Sequence, residues 1–161
     1  MKTRVLIFGL MALLLAGWLA WSYAWPHTVL SEGPLTLSEA QASCPIALPR
    51  SAVNIRLATY RQKTDATTYI KFSAPLEDCQ SLARQLLPGV APQTLKVVAT
   101  RPDDLPPQEI SKHFTLAELA WFDAYSVTDG LRYAGPDGPV VVIAMPTDKV
   151  PMATFYYRQG D

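Results

Sequence analysis

The chain has 161 residues, balances 14 basic against 14 acidic side chains, is 49% hydrophobic and contains 14 prolines. That size suits one domain with one core. A basic stripe for nucleic acid and a polybasic flank for anionic lipid are both missing, so nucleic acid is excluded as an expected partner.

Residues 1–25 read as a leader. After Met1-Lys2-Thr3-Arg4, the run Val5–Trp25 spans 21 residues without a charge, and as a helix it would measure about 30 Å, the thickness of a bilayer's hydrocarbon core. The expectation is an N-terminal transmembrane helix retained as a signal anchor. Trp18, Trp21, Tyr23 and Trp25 would sit at the membrane interface, which selects amphipathic rings. The alternative is a cleaved signal, with Ser22-Tyr23-Ala24 as the best small-x-small site. Lys2 and Arg4 precede the run and the next basic residue is Arg50, so the N-terminus is expected in the cytoplasm. In a bacterium this describes a single-pass inner-membrane protein with a periplasmic domain, or a periplasmic protein if the leader is removed. With Lys2 and Arg4 assigned to the leader, 12 basic and 14 acidic residues remain, a formal charge of −2.

Residues 26–50 hold four prolines and little periodicity, and read as a proline-rich tether. Within it Thr36 and Glu39 have capping-box spacing, which predicts a short helix through Ser43 that Pro45 stops. The extracytoplasmic domain is then expected over 51–161. Val53, Ile55 and Leu57 alternate with polar or small residues, and Ile70 and Phe72 do so beyond "QKTDA", which together predict a hairpin. Pro75 suits a first helical turn, and Leu76, Cys79, Leu82, Ala83, Leu86 and Leu87 recur at helical spacing before Pro88-Gly89. "QTLKVVAT" reads as a third strand, "RPDDLPPQE" as a loop, and Thr115 with Glu118 as a second capping box ahead of a short helix, "LAELAWF". "GLRYAG", "PVVVIAMP" and "MATFYYRQ" supply three more strands separated by turn residues. The expected fold class is α+β: an antiparallel sheet of about six strands with two or three short helices packed on one side.

Two cysteines, Cys44 and Cys79, permit a disulfide in an oxidising compartment. The competing reading places Cys79 on the apolar face of its helix as a buried thiol. Asp103-Asp104 reads as a solvated loop, Asp129-Gly130 and Asp137-Gly138 as turns, and His113 as a surface or capping residue. No serine nucleophile elbow, phosphate-binding glycine loop or paired-cysteine motif occurs, so no catalytic residue, cofactor or metal ligand is assigned. Tyrosine and tryptophan dominate binding hot spots, which makes Trp121, Tyr133, Tyr156 and Tyr157 the first candidates for a binding surface.

The segments "LPRSAVNI", "YIKFSAPLEDC", "WFDAYSVTDGLRYAG" and "ATFYYRQGD" resemble those of small exported bacterial proteins, lipoprotein-like or membrane-anchored. The resemblance covers roughly residues 45–161 and implies an envelope location without any activity; a lipobox cysteine is missing. The leading functional expectation is a membrane-anchored envelope domain, non-enzymatic, that binds another protein or a small ligand through its sheet. One alternative is an envelope hydrolase or thiol-active protein whose site assembles from Cys44, Cys79, Asp103 and His113. Another is a small subunit of a larger membrane complex.

Overall fold

The alternation on either side of "QKTDA" folds as a long hairpin. In the computed structural model, which describes residues 11, 13–18, 25–62, 65–95, 112–135, 138–148 and 150–160, strands β2 (Val53–Gln62) and β3 (Asp65–Ala74) pair antiparallel. Strand β1 (His27–Leu30) precedes them on the outer side of β2. Strands β4 (Gln93–Leu95), β5 (Gly130–Ala134), β6 (Val140–Ala144) and β7 (Ala153–Gln159) follow. All seven form one antiparallel sheet in the order β1-β2-β3-β7-β6-β5-β4. After β3 the chain crosses to the far edge and returns as a meander, which places the last strand at the centre, between β3 and β6.

Side chains alternate between the two sheet faces. The first face carries Ile55, Leu57, Ile70, Phe72, Tyr133, Val141, Ile143, Phe155 and Tyr157, buried in one core with Cys79, Leu82 and Ala83 of helix α2 (Leu76–Leu86) and Ala40 of helix α1 (Leu37–Ser43). Phe72 and Phe155 are register partners whose rings stack at 4.8 Å. The second face carries Ala58, Tyr69, Val142 and Tyr156, roofed by Phe114, Leu119 and Phe122 of the segment 112–127. Tyr69 and Tyr156 each meet Phe122 edge to face, at 5.1 and 5.6 Å, the arrangement that ring quadrupoles favour.

Several expectations are corrected. The sheet has seven strands rather than about six. The segment 26–50 is not a free tether: it supplies β1, whose His27 and Leu30 pair with Arg61 and Ala58, and it buries Ala40 and Leu48 in the core. Helix α1 forms where the capping box predicts, with the Thr36 hydroxyl accepting from the Glu39 amide and the Glu39 carboxylate accepting from the Thr36 amide. The second capping box, Thr115 with Glu118, makes the same reciprocal bonds, but 116–121 are turns rather than helix. These residues also cover the face opposite α1 and α2, so the sheet is covered on both sides.

The transmembrane anchor is corrected as well. Residues 13–18 are helical, yet no helix among the described residues is long and apolar enough to cross a membrane, since a span takes about 20 residues. Residues 1–10, 12 and 19–24, Trp21 and Tyr23 included, lie outside the described residues. Of the proposed interface rings, Trp18 is 65% exposed and Trp25 53%.

Candidate ligand-binding face of the sheet

Among the described residues, the roof covers only part of the second face, and its boundary is polar. A β-bulge falls between Val53 and Arg56, where the register shifts and Asn54 adopts a positive φ of 53°. Asparagine tolerates that left-handed conformation better than most residues. Three positions apart, Val53 and Arg56 would point to opposite faces of a regular strand; the extra residue puts both on the second face. Arg56 then pairs with Lys71, and Lys71 with Tyr156. One step further, Val53 pairs with Ser73 and Ser73 with Thr154.

Lys71 is the hinge between this open area and the roof. Its Nζ donates to Asp123 Oδ1 at 2.6 Å and to the Trp121 carbonyl oxygen at 3.0 Å, and lies 5.2 Å from the centre of the Tyr156 ring. The Tyr156 hydroxyl donates to the same Asp123 oxygen at 2.9 Å. Burial would raise the carboxyl pKa of Asp123, but the hydrogen bonds from Lys71 and Tyr156, with the Lys71 charge, outweigh it and hold the group below its ordinary value. Burial first, and then the Asp123 charge and hydrogen bond, push the Tyr156 phenol well above its usual range. Asp123 therefore stays ionised and Tyr156 stays a donor at neutral pH.

The remaining donors have no such partner. Among the described residues, Arg56, Ser73 and Thr154 make no side-chain hydrogen bond or ion pair, and all three are half-buried. The buried Trp121 Nε1 likewise has no acceptor among them. Lys71 has three N–H donors and uses two; Arg56 offers five. Among the described residues, donors thus exceed acceptors in this cluster, with Arg56 and Lys71 set against Asp123.

The far end of the roof is fastened differently. The His113 ring stacks on Tyr60, with centroids 3.6 Å apart, and its Nε2 lies 3.1 Å from Asp65 Oδ2. His113 is therefore a packing residue at the roof's edge.

The four proposed aromatic contacts do not form one surface. Tyr133 and Tyr157 are buried on the first face, beneath the helices, while Tyr156 is buried and Trp121 half-buried on the second. Cys44 and Cys79 are free thiols, which overturns the disulfide. Cys79 is fully buried in the core, where its thiol points at the Ala74 carbonyl and burial raises its pKa to about 12; burial also raises that of Cys44. Asp103, Asp104 and Asp137 lie outside the described residues. Asp129-Gly130 leads into a strand rather than closing a tight turn: Gly130 opens β5, and the Asp129 carbonyl accepts from the Met145 amide at 3.0 Å, one step beyond the Gly130–Ala144 pair of the β5–β6 ladder. No group of three or more histidine, cysteine or acidic residues able to hold a metal ion occurs among the described residues.

The residues that sequence reasoning missed are Arg56, Lys71, Ser73, Asp123 and Thr154. The available signal was the polar pair Lys71 and Ser73, alternating with the apolar Ile70, Phe72 and Ala74 in the second half of β3. Comparison of the chain with family models, curated proteins and solved structures finds no match.

Proposed function

We propose that the chain is an extracytoplasmic binding domain that engages its ligand, a protein or a small molecule, through the open part of the second sheet face. The observation that carries this reading is the donor excess on the β2-β3-β7 part of the sheet: Arg56, Ser73 and Thr154 are unpaired among the described residues, beside a Lys71 already fixed in place. Binding groups held by strands on either side of the core are more accurately positioned than groups on loops. The extracytoplasmic location belongs to the same proposal and rests on the charges of Lys2 and Arg4 ahead of an apolar run, and on the resemblance to exported bacterial proteins.

Position-specific photo-crosslinking in cells tests this. Val53, 45% exposed at the margin of the face, and Gln85, exposed on α2 over the opposite face, each receive the photo-reactive residue in turn. A crosslinked product from position 53 that is absent from position 85 is expected. Equal products from both, or a product from 85 alone, would place the contact elsewhere.

A further inference from the structure

We infer that Arg56, Ser73, Thr154 and the uncommitted N–H of Lys71 form a site for an oxyanion, a carboxylate or phosphate group carried by the ligand. The inference rests on the binding reading of this face and adds the chemistry of what is bound. Arg56 and Lys71 are direct cross-strand partners on one face, an arrangement in which like charges repel. Asp123 offsets Lys71 through a 2.6 Å contact, whereas Arg56 has no counter-charge among the described residues. A purely structural role accounts for Lys71, which pins the Trp121–Asp123 stretch to the sheet, and leaves Arg56 unexplained. A second anion accounts for it.

The geometry suits that anion. Same-face neighbours lie about 4.5–5.5 Å apart across strands and about 7 Å along one, and Arg56 and Lys71 sit side by side in the row next to Ser73, within reach of it for side chains of their length. Ser73 and Thr154 are register partners, so their hydroxyls form a floor of neutral donors next to the two cations. A planar guanidinium matches carboxylate and phosphate oxygens in a two-pronged contact, and such charge-assisted bonds are the strong ones. Unbroken register from Arg56 to Gln62 sets Arg56 on this face, and the bulge at Asn54 brings Val53 onto it as well, at the margin of the site.

Nuclear magnetic resonance of the full-length chain, titrated with sodium acetate or sodium phosphate against sodium chloride at equal ionic strength, tests the site. Saturable shifts of the Arg56, Ser73 and Thr154 amides are expected with at least one of the two oxyanions. The tighter probe says whether the ligand group is a carboxylate or a phosphate. Arg56→Gln should weaken binding about tenfold, the loss of one charge-assisted contact, while Arg84→Gln on α2 leaves it unchanged. Ser73→Ala, which keeps the strand and removes one donor, serves the same purpose if Arg56→Gln unfolds. Shifts matched by chloride, or unaltered in both folded variants, would overturn the oxyanion site. If the Val53 crosslink survives that result, the binding face stands and its anion chemistry falls; if the oxyanion titrates and Val53 captures nothing, the oxyanion site stands and the cellular contact at Val53 falls.

Discussion

Lys71 and Asp123, 52 positions apart in sequence, meet at 2.6 Å on the second face of the sheet and join the roof segment to the central strands. The pair is partly exposed, at 27% and 44% of side-chain area, so its worth lies nearer that of a surface ion pair than of a buried one, about 1 kcal/mol. Asp123→Ala should lower stability by roughly 1–2 kcal/mol, since it also removes the acceptor of the Tyr156 hydroxyl. Equilibrium denaturation gives the value, and an unchanged midpoint would mean that the roof is held by its aromatic packing alone.

The same pair sets an acid limb. Because the folded-state pKa of Asp123 is depressed, its contribution is present above the unfolded carboxyl value, about 4, and disappears as pH falls through the lower folded value. Asp123→Asn should therefore lose less stability than the parent on acidification from pH 5 to below pH 3. Parallel pH profiles for the two proteins would contradict the assignment.

The thiols give a redox prediction. With Cys44 and Cys79 free and both raised in pKa by burial, neither should be alkylated quickly in the folded protein near pH 7, because the thiolate is the reactive form. Both should label after denaturation without reductant. Failure to label until reductant is added would show that the two are bridged.

Gly130 tests the fit of β5 against β6. A Cβ there would lie 2.3 Å from the Ile143 carbonyl oxygen, which is backbone and has little room to move. Gly130→Ala should cost about 1–3 kcal/mol, the usual range for overpacking, whereas Gly33→Ala, with nothing within 4 Å, should change thermal unfolding little. Similar midpoints for both variants would be inconsistent with the close approach.

Tyr133 and Tyr157 distinguish a core residue from a contact residue. Both are buried under the helices, and Tyr133→Ala should destabilise by about 3–5 kcal/mol, as large aromatic truncations do. A folded Tyr133→Ala protein with weakened ligand binding would restore this tyrosine to the binding surface.

Local patterns were the legible part of this fold. Period-two alternation marks β2 and β3, helical spacing marks α2, and the capping box marks α1. What was not legible depends on pairing between distant segments. His27–Leu30 is too short to stand out between Pro26 and "SEGP", and becomes a strand only because β2 offers it an edge. Tyr156 and Tyr157 look like an exposed aromatic end, yet β7 returns to the centre of the sheet, so one is buried on each face. The Thr115 capping box starts one helical turn, with the Leu119 amide on the Thr115 carbonyl. Tighter bonds then follow, from Phe122 to Leu119, while Lys71 takes the Trp121 carbonyl. The open face was hidden for the same reason: Arg56, Ser73 and Thr154 come from three strands, and only the β2-β3-β7 order brings them together.

Thermal unfolding in oxyanion buffer tests the central claim most directly. Phosphate stabilises many proteins by exclusion from their surfaces, so the deciding quantity is the rise in Tm over chloride of equal ionic strength, compared between parent and Arg56→Gln. Site binding adds stability as the logarithm of ligand concentration over Kd. The account predicts a rise in the parent, with phosphate or with acetate, that grows with concentration and is mostly lost in Arg56→Gln. Equal rises in the two proteins with both anions would contradict it.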